Sequence, residues 1–216
     1  MTDKKHRKID FKLYVITNRL LCEPRPLYDV IHDLLDAGVT AIQLREKDLG
    51  DLEFHQLAEQ IAELCQTYSA RLFINSRVEV ALDLGVSGVH FPASTPSIGR
   101  IKAGRGKSLL IGCSIHSLGE AQLREKDGAD FVTYSPIFPT ASKPGYGPTV
   151  GLKKLEVLTS VIRIPVFALG GISSDRVPEC IEAGAHGVAV MSGVMLPETA
   201  TTQAREYIQA LAKYKV

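Results

Sequence analysis

Short unbroken apolar runs alternate with longer amphipathic stretches along almost the whole chain. The runs are Leu13 to Ile16, Ala41 to Leu44, Leu72 to Ile74, Gly88 to Phe91, Leu109 to Ile115, Phe131 to Phe138, Pro165 to Leu169 and Gly187 to Met191. Unbroken runs, rather than alternating apolar and polar positions, suit strands covered on both faces, as in a parallel sheet. The stretches between them have helical period. In Leu52 to Ser69, residues Phe54, Leu57, Ala58, Ile61, Leu64 and Cys65 fall on one stripe, the pattern of a helix with one buried face. Shorter stripes occupy about 27–37, 77–84, 117–127, 151–161, 174–183 and 198–214, with the weakest around 97–104.

One phrase recurs four times: a charged residue, a glycine within two positions, then an apolar strand. It occurs at Asp36-Ala37-Gly38, Asp83-Leu84-Gly85, Asp127-Gly128-Ala129 and Glu182-Ala183-Gly184. Glycine takes the left-handed conformation that closes a helix, so each phrase predicts a helix end, a tight turn and a buried strand. Dividing 216 residues among eight such units leaves 27 each, close to the shortest βαβ repeat. The arithmetic favours an α/β fold of one (β/α)₈ TIM barrel spanning 11–216 behind a polar N-terminal extension, 1–10; an open doubly wound sheet is the alternative. In both, ligands meet the carboxyl ends of the strands.

Composition narrows the function. The 25 basic and 24 acidic residues give a net charge of +1, which argues against nucleic acid as a partner, since phosphate backbones require a basic surface. Cys22, Cys65, Cys113 and Cys180 are too dispersed for a zinc or redox motif. No apolar run reaches bilayer-spanning length and no signal-peptide pattern opens the chain, so no membrane partner and a cytoplasmic location are expected. Apolar residues on the outer helices are compatible with a homo-oligomer.

The strand ends carry the chemistry. After the second strand, alternation sends Gln43, Arg45 and Lys47 to one side, a set suited to an anion; the alternative is a solvated loop with ion pairs to Glu46 and Asp48. Asn75 and Ser114 end the third and fifth strands, and His116 is the candidate proton carrier, histidine being the residue type suited to proton transfer at neutral pH. The Pro/Gly-rich stretch from Ser135 to Pro148 brings Thr140, Ser142 and Lys143 and suits a lid. Gly170 and Gly171 after the seventh strand, with Ser192 and Gly193 after the eighth, are placed where barrels commonly bind phosphate through backbone amides. A phosphorylated small molecule is the implied ligand.

With Leu13-Tyr14-Val15-Ile16-Thr17, Gln43-Leu44-Arg45-Glu46-Lys47, Gly88-Val89-His90, Ser114-Ile115-His116-Ser117, Ser135-Pro136-Ile137-Phe138-Pro139-Thr140, Ala168-Leu169-Gly170-Gly171-Ile172 and Ala189-Val190-Met191-Ser192-Gly193 in this order, the chain resembles the thiamine phosphate synthase/TenI family over about 12–195. The resemblance implies a (β/α)₈ barrel and a role in thiamine biosynthesis. In the synthase branch it implies that Gln43, Arg45, Lys47 and Asn75 contact the diphosphate or pyrimidine. Ser114, Thr140, Ser142 and Lys143 would surround the reacting groups, and Gly170, Gly171 and Ser192 would cradle the thiazole phosphate. Synthases carry aspartates, which hold Mg²⁺, where this chain has Ser76 and Thr95. The isomerising branch places a histidine where it has Pro136. With the metal carboxylates lost, the resemblance favours a TenI-like thiazole tautomerase with His116 as proton carrier and no protein metal site. The alternatives are a synthase joining hydroxymethylpyrimidine diphosphate to thiazole phosphate, the one reading that involves Mg²⁺, and a non-catalytic binder of thiamine-pathway phosphates.

Overall fold

The computed structural model describes residues 9–99, 109–140 and 149–214. Eight parallel strands close into a barrel in chain order: β1 (Leu13–Ile16), β2 (Ala41–Leu44), β3 (Arg71–Asn75), β4 (Gly88–Phe91), β5 (Leu110–Ile115), β6 (Phe131–Tyr134), β7 (Val166–Leu169) and β8 (Gly187–Val190). Closure is the pairing of β1 with β8, with Tyr14 beside Ala189. The helices are α1 (Leu27–Asp36), α2 (Asp51–Thr67), α3 (Val78–Asp83), α4 (Leu118–Asp127), α5 (Gly151–Val161), α6 (Val177–Glu182), α7 (Ser192–Met195) and α8 (Ala200–Leu211). No helix among the described residues is long and apolar enough to cross a membrane.

The recurrent glycine phrase does what its chemistry requires. Gly38, Gly85, Gly128 and Gly184 all have positive φ. The amide after each returns to a carbonyl five residues earlier, as in Val39 to Leu34 and Ala129 to Arg124, satisfying a helix-end acceptor before the strand begins.

Two expectations shift. The sixth apolar run stops being strand at Tyr134, because Pro136 has no N–H to donate to a ladder, and the chain instead crosses to β7, with Ile137 N–H donating to Leu169 O at 2.9 Å. The stretch 174–183 divides into a 3₁₀ turn, Ser174–Arg176, and α6, with Pro178 in its first turn. The weak stripe at 97–104 lies beyond the described residues after Gly99. Ile9 is buried and Asp10 pairs with Arg71, so barrel packing reaches back to Ile9.

Strand alternation creates two cores. Side chains such as Val15, Ile42, Ile74, Val132 and Val188 face the helices. Tyr14, Phe73, Phe131 and Phe167 face the barrel axis, with Phe11 entering from below. Their rings lie 5.1–6.0 Å apart, mostly edge to face, the arrangement favoured by ring quadrupoles. So many rings fit because Gly88 and Gly112 present no side chain. A methyl at 88 would lie 2.7 Å from the Phe73 ring, and one at 112 would lie 2.5 Å from His90 Nδ1. The lower barrel is therefore solid, and open space begins above this aromatic layer.

Candidate active site

Where the inward side chains change from apolar to polar, the barrel opens into a cavity of about 660 Å³ at the carboxyl ends of the strands. Its floor is a hydrogen-bonded set from five strands. Gln43 Nε2 donates to Tyr14 Oη at 3.3 Å, the Tyr14 hydroxyl lies 3.5 Å from His90 Nδ1, and His90 Nε2 lies 3.1 Å from Ser114 Oγ. Thr133 Oγ1 donates to Ser114 Oγ at 3.5 Å. The order of donors follows. Because the Gln43 amide donates to Tyr14, the tyrosine proton is directed to His90 Nδ1, and His90 Nε2–H then donates to Ser114. Ser114 Oγ accepts twice, which leaves its own hydrogen for the cavity that it lines. Burial, and secondarily the charge of Arg45, pushes His90 down to about 3, so the ring is neutral.

The rim at β2 is cationic. Gln43, Arg45 and Lys47 all line the cavity, as alternation predicts. The carboxylates expected to neutralise them under the solvated-loop reading point elsewhere. Buried Glu46 accepts from Thr17 Oγ1 at 2.5 Å and from the Arg19 amide at 3.1 Å, and Asp48 pairs with Arg19 at 2.6 Å. Desolvation, with Arg45 next, pushes the Lys47 ammonium below its ordinary value. Two cations sharing a rim is the electrostatic signature of an anion site.

The rim at β7 and β8 is backbone. Gly170, Gly171, Ser192 and Gly193 line the cavity. Ser192 and Gly193 open the helical turn α7, where N–H groups lack intrahelical acceptors. Gly170 and Gly171 have φ of 101° and 64°, and a methyl on Gly170 would lie 2.9 Å from Pro136, while one on Gly171 would collide with Pro139 O. Close approach of the β6 loop thus demands these glycines whether or not phosphate binds. Tyr207, from α8, donates to Ile172 O at 2.7 Å and holds this rim to the last helix.

Asn75, Ser114, His116 and Thr140 also line the cavity. His116 Nδ1 lies 2.9 Å from Ser135 O. A carbonyl only accepts, so Nδ1 carries hydrogen. Ser142 and Lys143, with most of the expected lid, lie outside the described residues. The structure thus brings eleven of the thirteen sequence-predicted site residues to one cavity. It adds Ser94, Ser135, Met191, Gln203 and Tyr207 as lining groups, with His90 and Thr133 beneath. A signal for the floor exists in the sequence: His90 and Thr133 are polar residues inside otherwise apolar strands.

The donor set does not fit a protein-held divalent cation. Among the described residues no Asp or Glu lines the cavity, and neither Ser76 nor Thr95 does. No cluster of three or more His, Cys, Asp or Glu that could hold a metal occurs among the described residues. Magnesium prefers charged oxygen ligands, which amide, hydroxyl and ammonium groups do not supply.

The sequence pattern of the thiamine monophosphate synthase family matches residues 13–194. The chain belongs to that family. A putative thiamine-phosphate synthase of Geobacter sulfurreducens is 41% identical over 94% of this chain and 96% of its own. The thiamine-phosphate synthase of Clostridium acetobutylicum is 33% identical over 96% and 98%. Among solved structures, thiamine phosphate pyrophosphorylase from Pyrococcus furiosus superposes with a TM-score of 0.83 at 34% identity, covering 94% of this chain and 96% of that one. These relatives of the thiamine monophosphate synthase family bear the names of the transferase, the alternative in the sequence reading. The tautomerase that reading favoured, an isomerase, finds no support in them.

Proposed function

We propose that the chain is a thiamine-phosphate synthase, a transferase joining hydroxymethylpyrimidine diphosphate to thiazole phosphate with release of pyrophosphate. The observation that supports this reading is that one cavity is lined by two separate sets of groups suited to anions, the Arg45 and Lys47 cations at β2 and the glycine-rich backbone at β7 and β8. A diphosphate and a monophosphate on separate substrates suit two such places, with the paired cations set against the more highly charged group. The names of the relatives point the same way.

In this reading the thiazole phosphate rests on the Gly170, Gly171, Ser192 and Gly193 amides, with its ring nitrogen toward the floor. The diphosphate lies against Arg45 and Lys47. The pyrimidine methylene carbon loses its C–O bond, the electron pair leaves with pyrophosphate, and the thiazole nitrogen lone pair forms the new C–N bond. Charge develops on the departing oxygen, where fixed cations stabilise it most effectively. Ser114, held as a donor by His90 and Thr133, supplies a hydrogen bond at the floor.

Purified protein incubated with both substrates should form thiamine phosphate and pyrophosphate in equal amounts, followed by chromatography. Absence of product under all metal conditions removes the proposal. Isomerisation of a thiazole carboxylate phosphate in a parallel NMR assay, with no transferase product, would replace it by the tautomerase reading with His116, and binding without turnover in both would leave a phosphate binder.

A further inference from the structure

We propose that this barrel binds the diphosphate end of its substrate without a protein-held divalent cation, the counter-charge being Arg45 and Lys47. The identity of the substrate rests on the function proposed above; the metal-free anion site rests on the rim itself.

The cations around the mouth divide sharply. Arg19 is paired with Asp48, and Arg77 lies over the Phe54 ring and donates to Leu49 O. Arg176 lies over the Phe138 ring and donates to Gly171 O. Arg45 and Lys47 alone line the cavity with no ion pair or side-chain hydrogen bond among the described residues. Leaving two like charges together is unfavourable until an anion joins them, and every nearby carboxylate is withheld: Glu46 by Thr17 and Arg19, Asp48 by Arg19.

The side of the mouth beyond β3 and β4 is equally unsuited to a cation. Ser76 and Thr95 offer hydroxyls. The β4 loop is also tied from behind by Arg124, buried to 3% exposure, whose Nη2 donates to Ala93 O at 2.8 Å and Thr95 O at 2.5 Å. Two carbonyl oxygens of that loop are thus already taken by a guanidinium, which adds positive charge where a metal would need negative. Asp127 lies 3.6 Å from Arg124 Nη1 and offsets part of that charge, but on the helix side of the loop. Residues 100–108 and 141–148 contain no Asp or Glu, so those stretches bring no carboxylate either. Arg45 and Lys47 together carry the same formal charge, +2, as the one magnesium ion they would replace.

The test is calorimetric titration of the full-length protein with inorganic pyrophosphate, in EDTA and in excess Mg²⁺, with circular dichroism to establish that each variant is folded. Wild-type protein should bind pyrophosphate in EDTA, and no more tightly with Mg²⁺. Arg45→Gln and Lys47→Gln should each weaken metal-free binding roughly tenfold or more, the effect of losing one charge-assisted hydrogen bond. Binding that appears only with Mg²⁺, no binding in either condition, or folded variants that bind like wild type would each overturn the inference. The result separates from the reaction assay. Metal-free pyrophosphate binding without thiamine phosphate formation sustains the site and removes the synthase reading. Turnover and binding that both require Mg²⁺ do the reverse.

Discussion

His90 offers the sharpest quantitative test of the cavity floor. The side chain is 2% exposed, surrounded by Tyr14 and Phe131, and its charged form is opposed first by burial and then by Arg45. Its folded-state value of about 3 is below that of an unfolded histidine, about 6.5. Between those values the unfolded chain takes up a proton that the folded chain refuses, so acid favours unfolding. The stability is fully present above the unfolded value and is lost as pH falls towards the folded one. Linkage over that window gives a loss of about 2 kcal/mol through this one residue on going from pH 7 to pH 5. His90→Gln keeps a donor and an acceptor in the floor but removes the titration. Urea unfolding of both proteins at several pH values should show wild type losing about 2 kcal/mol more than the variant over that interval. Parallel stability curves, or an NMR titration placing His90 near an ordinary histidine, would refute the picture of a neutral ring locked between Tyr14 and Ser114.

Two other expectations concern packing. Gly112→Ala brings a methyl against the Phe131 ring and His90 and should cost about 2 to 3 kcal/mol in urea unfolding, the upper range for overpacking a core. Gly119→Ala, in the first turn of α4 with nothing within 4 Å of the new methyl, should be neutral or stabilise by up to about 1 kcal/mol; equal costs at both sites would contradict the close-packed barrel interior. All four cysteines are buried, and burial pushes Cys65, Cys113 and Cys180 up to about 12 and Cys22 to about 11. A thiol-specific reagent should therefore label none in the native protein and all four after denaturation, and one fast native equivalent would disprove it.

The strands were legible because a barrel strand is covered on both sides, and continuous apolarity is the direct imprint of that burial. The glycine turns were legible because Gly38, Gly85, Gly128 and Gly184 sit where a Cβ is penalised. The polar floor was harder to find. His90, Ser114 and Thr133 lie on three different strands, and only closure of the barrel sets the register that brings them together. The direction of Glu46 was hidden for a similar reason: its partner Thr17 is 29 residues away, so local sequence offered Arg45 and Lys47 as equally good neighbours. The choice of reaction turned on two positions. Ser76 and Thr95 were read as marks against transferase chemistry, but a cavity with its own uncompensated cations has a second means of stabilising a departing anion.

The solid aromatic layer of Phe11, Tyr14, Phe73, Phe131 and Phe167 also dictates traffic. It closes the cavity from below, so whatever rests on the polar floor goes in before, and comes out after, anything seated above it. A reaction between two molecules in such a well has an order of arrival and departure built into the architecture, and the deeper product keeps the next cycle waiting until it leaves.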